Sequence, residues 1–114
     1  MPYLKIQTNH PVASEKSKAL LASASKLLAV QLGKPERYVM VELTANQAML
    51  FGGTNEPAAY LELKSIGLPA DQVKNLSQSS SWLLEEALGL SPSRIYIEFT
   101  DVKGSLWGWN GSTF

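Results

Sequence analysis

The feature that most limits how this chain can fold is an internal repeat of two similar halves. Residues 3–6 (Tyr-Leu-Lys-Ile) resemble residues 60–63 (Tyr-Leu-Glu-Leu). Residues 39–44 (Val-Met-Val-Glu-Leu-Thr) resemble residues 95–100 (Ile-Tyr-Ile-Glu-Phe-Thr) in the same order. Because a long helical pattern separates the two segments of each half, each half is predicted to be a β-α-β unit. Chance similarity between short β-rich segments is the alternative interpretation.

Hydrophobic periodicity and turn residues predict the elements inside each half. Apolar side chains at spacings of three and four predict a helix over 14–32, with Ser14 as its N-cap, and a second helix over 70–88. A glycine followed closely by a proline ends each helix, at Gly33 and at Gly89. Segments rich in β-forming residues predict strands at 3–8, 38–44, 59–66 and 94–100, with a short strand at 48–51.

Two β-α-β units predict an α+β protein with one four-stranded mixed sheet and both helices on one face. The length of 114 residues suits one domain over 1–114. Residues 38–43 are apolar on both sides of the predicted strand, so the uncovered sheet face is expected to be apolar and to need burial in a closed homo-oligomer. The uncharged aromatic tail from Gly104 to Phe114 is expected to pack on a neighbouring subunit.

Composition excludes several classes of function. Ten Lys and Arg balance ten Asp and Glu, so the chain lacks the basic excess typical of nucleic-acid-binding modules. The absence of cysteine excludes thiolate catalysis, and the single His10 argues against a metal site. No uncharged run is long enough to span a bilayer and no secretory signal is visible, so we expect no membrane partner and a cytoplasmic location, with non-classical export left open.

Several short motifs follow one another along the chain. They are Pro2 directly after Met1, Asn9-x-Pro11, Gly33-Lys34-Pro35, Phe51-Gly52-Gly53, Glu56-Pro57, Ser65-Ile66-Gly67, Ser91-Pro92-x-Arg94-Ile95-Tyr96-Ile97 and Gly108-Trp109-Asn110-x-Ser112-Thr113-Phe114. No single motif is specific, but the set resembles the macrophage migration inhibitory factor family of the tautomerase superfamily over essentially the whole chain.

The resemblance implies a homotrimer whose three sheets enclose a central channel and whose active sites lie between subunits. It implies keto–enol tautomerisation of aryl α-keto acids such as phenylpyruvate, and isomerisation of dopachrome-like compounds, without a cofactor. The implied base is the amine of Pro2, exposed when Met1 is removed. The alternatives are a cytokine-like binding or signalling protein with a residual pocket, and a trimeric scaffold without chemistry.

The resemblance also implies roles for single residues. Pro2 acts as general acid and base, and apolar burial together with the charge of Lys34 keeps its amine neutral. Lys34 binds the substrate carboxylate, Ser65 and Ile66 lie beside the proline, and the Ile66 backbone hydrogen-bonds the substrate. The cleft walls are expected to be aromatic: Tyr96 from the neighbouring subunit, with Tyr38, Trp109 and Phe114.

The residue types alone allow plainer interpretations of the same positions. Pro2 is then an ordinary terminal residue, and Lys34 is a solvated lysine that complements a helix C-terminus. Residues 65–67 are then a simple strand end, and Tyr38 and Trp109 are core aromatics.

Two positions depart from the family pattern. Glu98 stands two residues after Tyr96, where many members have asparagine. A carboxylate there is expected to repel an anionic substrate and to favour the protonated Pro2 amine, which would weaken activity on keto acids. Residues 58–61 contain no cysteine, whereas vertebrate cytokine members carry Cys-x-x-Cys after the Glu-Pro pair, so thiol oxidoreductase activity is not expected.

Overall fold

The computed structural model describes residues 1–114 and contains a four-stranded sheet, two long helices and a small C-terminal hairpin. The elements are β1 (Pro2–Thr8), α1 (Ser14–Leu32), β2 (Met40–Thr44), β3 (Ala59–Ile66), α2 (Val73–Leu88), β4 (Ile95–Val102), β5 (Gly108–Trp109) and β6 (Ser112–Thr113). Short 3₁₀ turns lie at Glu36–Tyr38, Ala70–Gln72, Pro92–Arg94 and Gly104–Leu106.

The sheet confirms the predicted repeat of two β-α-β units. Its strand order is β2-β1-β3-β4, with parallel pairs β1–β2 and β3–β4 joined by the antiparallel pair β1–β3. Tyr3 faces Met40 in the first parallel pair, and Tyr60 faces Tyr96 in the second, so the two halves have the same register. The predicted α+β class with a mixed four-stranded sheet is therefore confirmed.

Both helices pack on one face of the sheet. Alternate residues of β1 and β3 are buried on that face, where Leu4 pairs with Leu63 and Ile6 pairs with Leu61. The largest apolar side chains that are fully buried are Leu4, Ile6, Leu20, Leu28, Leu61, Leu63, Leu76, Leu84 and Leu90. Because each fully buried leucine contributes about 1.5–3 kcal/mol, this layer holds the helices to the sheet.

The opposite face of the sheet is polar and aromatic, so the prediction of an apolar face was wrong. Lys5 lies there in register with Glu42 on β2, and Glu62 lies in register with Glu98 on β4. Val39, Val41 and Leu43 pack against the core, as their spacing suggests. The prediction failed on the open side, because Glu42 and the charged residues of the neighbouring strands lie there around Met40. The need to bury an apolar face therefore gives no argument for an oligomer.

The C-terminal tail folds back on its own chain but stays largely exposed there, so its packing on a neighbouring subunit remains a prediction. Residues 108–113 form the β5–β6 hairpin, and the Phe114 N–H donates to the carbonyl of Trp107 at 3.2 Å. Asn110 and Gly111 connect the two strands with φ values of 52° and 75°. The hairpin brings the aromatic rings at the end of the chain back to the turn that follows α1.

The helix boundaries need two corrections. Ser14 is the first residue of α1 and not its N-cap, because Ala13 is extended and accepts the first helical bond from the Ser17 N–H at 2.9 Å. Residues 70–72 form a 3₁₀ turn before α2 begins at Val73. Neither long helix has the combination of length and hydropathy that a membrane crossing requires.

The strand boundaries differ in three places. β2 begins at Met40 rather than at 38, because the turn after Pro35 already uses the Tyr38 N–H, which donates to the Pro35 carbonyl at 3.0 Å. β4 covers Ile95–Val102 rather than 94–100. The predicted strand at 48–51 was wrong, since Phe51 forms only an isolated bridge with Thr54.

Candidate active site

A small cleft lies where β1 begins, between the turn after α1 and the C-terminal hairpin. Its volume is about 280 Å³ and its lining is mostly hydrophobic. The lining residues are Met1, Pro2, Tyr3, Arg37, Tyr38, Val39, Met40, Trp107, Gly108, Trp109 and Phe114. The cleft therefore combines the N-terminal amine and one guanidinium group with apolar and aromatic walls.

The end of α1 brings cations close to this cleft. Gly33 has a φ of 62°, and its N–H donates to the Val30 carbonyl at 3.3 Å, while the Lys34 N–H donates to the Ala29 carbonyl at 3.0 Å. Glycine adopts this left-handed conformation without strain, so the chain reverses sharply here. The reversal places Lys34 near the start of β1, and the 3₁₀ turn that follows Pro35 presents Arg37 and Tyr38 to the cleft.

Three aromatic rings form one wall of the cleft. Trp109 and Phe114 stack with centroids 5.4 Å apart. Tyr38 meets Trp109 at 5.6 Å and Phe114 at 6.1 Å, both edge to face. The Arg37 guanidinium lies 4.8 Å from the centre of the Tyr38 ring. Because each aromatic pair contributes about 0.5–1.5 kcal/mol beyond its buried area, the wall is preorganised.

The N-terminal amine lies in surroundings that favour its neutral form. The pKa of the Met1 amine is lowered from its ordinary value of 8.0, first because burial disfavours the ammonium and second because Lys34 repels it. Pro2, the next residue, is among the fully buried side chains. An amine in this place therefore keeps a larger neutral fraction at neutral pH than an exposed one.

Ser65 and Ile66 lie beside Pro2 but do not line the cleft. Ser65 is the antiparallel partner of Pro2 and is fully buried. Its hydroxyl is 3.5 Å from the Ile66 carbonyl, the upper limit for a hydrogen bond. Lys34 also lies outside the lining, although its charge reaches the amine.

Tyr96 and Glu98 lie away from this cleft within the chain. Both are on β4, two strands from β1, and on the face of the sheet that the helices leave open. Tyr96 is 65% exposed, and the Glu98 carboxylate accepts a hydrogen bond from the Tyr60 hydroxyl at 3.3 Å. One chain thus brings together Pro2, Tyr38 and the tail aromatics, but neither residue of β4.

Apart from Met1, sequence reasoning missed six of the lining residues: Tyr3, Arg37, Val39, Met40, Trp107 and Gly108. Arg37, Met40 and Trp107 face the cleft, and Arg37 adds a second cation near the amine. The signal for Arg37 was its place next to Tyr38 in the short segment after the helix stop. No cluster of three or more potential metal-ligating side chains is present in the structure.

A larger and more open depression of about 640 Å³ lies beside the loop between β2 and β3. Its lining residues are Asn9, Gln47, Ala48, Met49, Leu50 and Asn55. None of these side chains titrates near neutral pH or acts as a nucleophile. The smaller cleft at the amine is therefore the better candidate for chemistry.

Known sequences identify the family. The profile of the family described as Macrophage migration inhibitory factor (MIF) matches residues 1–114. A "Macrophage migration inhibitory factor homolog" of Brugia malayi is 44% identical over 115 residues, covering 100% of this chain and 99% of the relative. The chain belongs to the macrophage migration inhibitory factor family. The factor of Mus musculus is 40% identical over 115 residues, with the same two coverages.

Solved structures of the family share the fold. A macrophage migration inhibitory factor homologue from Prochlorococcus marinus matches with a TM-score of 0.94 and 43% identity, covering 98% of both chains. The factor from Trichinella spiralis matches with a TM-score of 0.90 and 33% identity, covering 98% of this chain and 99% of the other. Because the MIF family belongs to the tautomerase superfamily, membership supports a tautomerase-like or cytokine-like protein.

Proposed function

We propose that this protein is a keto–enol tautomerase of aryl α-keto acids such as phenylpyruvate, that it isomerises dopachrome-like compounds, and that it acts as a homotrimer. Pro2 is the general acid and base once Met1 has been removed. The observation that carries the proposal is the aromatic cleft at the start of β1, where burial and Lys34 lower the pKa of the Met1 amine and Pro2 is the next residue.

The reaction needs only proton transfers. The neutral Pro2 amine takes a proton from the carbon next to the keto group, so a C–H bond breaks and an N–H bond forms. The electron pair moves to the carbonyl oxygen, which then gains a proton and completes the enol. Positioned acid–base catalysis of this kind accelerates a reaction by about 10²–10⁴-fold. No electron is gained or lost overall, so the chemistry requires no redox partner.

Two kinds of side chain bind the substrate: cations bind its carboxylate, and aromatic rings pack against its aryl group. Lys34 and Arg37 hold the carboxylate, and a hydrogen bond to a charged group of this kind contributes about 1.5–3 kcal/mol. The wall of Tyr38, Trp109 and Phe114 packs against the aryl group. The cations also stabilise the negative charge that develops on the carbonyl oxygen in the transition state.

The homotrimer completes the cleft with residues of a second copy. Tyr96 is 65% exposed on the open sheet face, where it contacts a neighbouring chain. Glu98 lies on the same strand as Tyr96, whereas Ile66 stays beside Pro2 of its own chain. Family homologues are compatible with homo-oligomers. Light scattering is expected to give three times the chain mass of 12.4 kDa. A stable monomer of the full-length chain would contradict the assembly.

The names of the relatives favour a second candidate, a cytokine-like binding or signalling protein whose pocket is residual. The two candidates differ in what the amine must do. Catalysis requires a free Pro2 amine, whereas recognition by a partner does not.

The test is a phenylpyruvate tautomerase assay on protein whose N-terminus has been verified by mass spectrometry. Protein that begins at Pro2 is expected to be active. Protein that keeps Met1, and the variant Pro2→Gly, are each expected to lose at least about ten-fold in kcat/KM, because the positioned secondary amine is gone. The exposed Pro11→Gly is the matched control and should keep its activity. Full activity with Met1 in place would show that Pro2 is not the base.

A further inference from the structure

The loop before β3 contains a tight turn that fixes the position of Phe51. Gly52 and Gly53 have φ values of 60° and 78°, a pair of left-handed conformations that glycine adopts readily. Phe51 and Thr54 exchange two backbone hydrogen bonds across this turn, of 3.0 and 3.1 Å. The turn therefore presents the Phe51 ring and its carbonyl oxygen in a defined direction.

Arg94 holds this loop by its backbone. Its guanidinium donates to the carbonyls of Phe51 and Glu56, each at 2.7 Å, and to those of Pro57 at 3.3 Å and Thr54 at 3.4 Å. A planar guanidinium supplies several donors in a fixed fork, whereas a lysine ammonium has no such geometry. All of these contacts are with backbone oxygens, so Arg94 orders the loop rather than neutralising a carboxylate.

The Phe51 ring connects Arg94 with Tyr96. The Arg94 guanidinium lies 4.9 Å from the centre of the Phe51 ring, and the Phe51 and Tyr96 rings lie 4.6 Å apart with a tilt of 38°. Tyr96 is otherwise largely exposed, at 65%. The contact with Phe51 therefore restricts the directions that the Tyr96 ring can take.

We propose that Arg94 is a positioning residue: it fixes Phe51, and through Phe51 it aims the Tyr96 ring and sets substrate affinity. This inference rests on the proposed function, in which Tyr96 lines the cleft of a neighbouring copy. The Arg94 side chain sets the direction of the Tyr96 ring, and it contacts neither the substrate nor the Pro2 amine.

A second clamp keeps the rest of the loop in place when Arg94 is changed. The Asn9 amide donates to the carbonyls of Asn55 and Glu56 at 3.2 and 3.1 Å, and its oxygen accepts from the Ala58 N–H at 2.9 Å. Because these bonds are independent of Arg94, a variant at 94 should fold and should loosen mainly the end of the loop that carries Phe51.

The first test observes the ring directly and does not depend on catalysis. Tyrosine rings are labelled with carbon-13, and the Tyr96 signals are assigned by their loss in Tyr96→Phe. Arg94→Lys keeps the charge but loses the fork, and Phe51→Leu removes the contacting ring. Both are expected to move the Tyr96 signals, whereas Lys74→Gln on the exposed side of α2 should not. Unchanged Tyr96 signals in Arg94→Lys would overturn the proposal.

The second test separates positioning from a general effect on the fold. Arg94→Lys is expected to raise KM for phenylpyruvate about five-fold while kcat changes less than about two-fold, because contacts to the bound substrate are misplaced. In a Tyr96→Ala background the same change should raise KM less than about two-fold. An equal effect in both backgrounds would overturn the proposal. Absence of tautomerase activity in the wild-type protein would contradict the proposed function. The Tyr96 NMR signals alone would then test whether Arg94 positions the ring.

Discussion

The two β-α-β halves share one backbone plan, yet only the first half contributes to the cleft, which the C-terminal tail completes. In each half a glycine with positive φ ends the long helix, a 3₁₀ turn follows, and the next strand pairs in parallel with the first. When Gly33 is aligned with Gly89, Lys34 corresponds to Leu90, Tyr38 to Arg94 and Met40 to Tyr96. The difference between the halves therefore lies in a few side chains on a common scaffold.

These side chains have different tasks in the two halves. Leu90 is 1% exposed and belongs to the core, whereas Lys34 is only partly buried and acts on the amine. Tyr38 builds the cleft wall, whereas Arg94 holds the loop before β3. The amine discussed above lies beside the start of β1, which belongs to the first half. The residues of the first half that differ from their counterparts in the second half, Lys34 and Tyr38, thus lie at the candidate site.

The largest expected effect comes from making the second half resemble the first at the position after the glycine. Leu90→Lys should lower the free energy of unfolding by at least about 3 kcal/mol, because leucine packing is lost and an ammonium enters the core. The reverse exchange, Lys34→Leu, should change stability by less than about 0.5 kcal/mol. Urea unfolding measures both, and equal stability of the two variants would contradict the different burial of these positions.

A smaller effect is expected inside the helices. Ser80 in α2 is 1% exposed and its hydroxyl has no hydrogen-bond partner, while the corresponding residue of α1 is the fully buried Ala24. Ser80→Ala should therefore raise the free energy of unfolding by about 1 kcal/mol. Ser81→Ala on the same helix is the control and should gain only the difference in helix propensity, about 0.5 kcal/mol. Destabilisation by Ser80→Ala would show that the hydroxyl has a partner in solution.

The smallest effect concerns two carboxylates at corresponding positions on the open face. Glu42 accepts a hydrogen bond from Tyr3, and Glu98 accepts one from Tyr60. Burial, together with Glu42, raises the pKa of Tyr3 to about 12, and burial followed by the charge of Glu98 raises the pKa of Tyr60. The two halves thus repeat a tyrosine–carboxylate pair. Tyr3 of the first pair lines the cleft of its own chain, and Glu98 of the second pair is expected to reach the cleft of a neighbouring copy.

Glu98→Asn should raise kcat/KM for phenylpyruvate about two- to five-fold, since an exposed charge interaction contributes up to about 1 kcal/mol. It should also move the acid limb of the pH profile to lower pH, because a nearby negative charge favours the protonated amine. Glu85→Gln on the exposed surface of α2 is the control and should do neither. A neutral ester substrate should gain less from Glu98→Asn than the anion does. Equal effects of both variants would remove Glu98 from the site.

The parts of the fold set by local physics could be predicted from the sequence. The apolar spacing and the terminal glycine predicted α1 at 14–32, and the β-forming residues predicted β3 at 59–66, both as observed. The open face could not be predicted, because alternation at 38–43 does not say which side meets a helix. The tail is a different case: its lack of charge indicates burial, but Leu106, Trp109 and Phe114 stay exposed in the single chain, so its packing on a neighbouring subunit remains a prediction.

The candidate site could be predicted only in part, because some of its residues depend on a turn or on a second copy. The family resemblance pointed to Pro2, Tyr38, Trp109 and Phe114, and the structure brings these four together. Arg37 was missed because the direction of its guanidinium depends on the 3₁₀ turn after Pro35, which was read as the start of a strand. Whether Tyr96 and Glu98 reach a cleft depends on a second copy, so their roles remain predictions.

The most direct test of the account is a titration of the Pro2 nitrogen. In protein that begins at Pro2, nitrogen-15 NMR of this atom is followed against pH together with kcat/KM. Burial and Lys34, which lower the pKa of the Met1 amine, are expected to hold the pKa of the Pro2 amine below that of an exposed prolyl amine. Activity should be lost as the pH falls through the same midpoint, because the ammonium cannot accept a proton. In Lys34→Ala both midpoints should move upward but remain below that of an exposed prolyl amine, since burial is the larger cause at Met1. A wild-type midpoint no lower than that of a prolyl amine in an unstructured peptide, or an acid limb that does not follow the amine, would contradict the claim that this amine is the base.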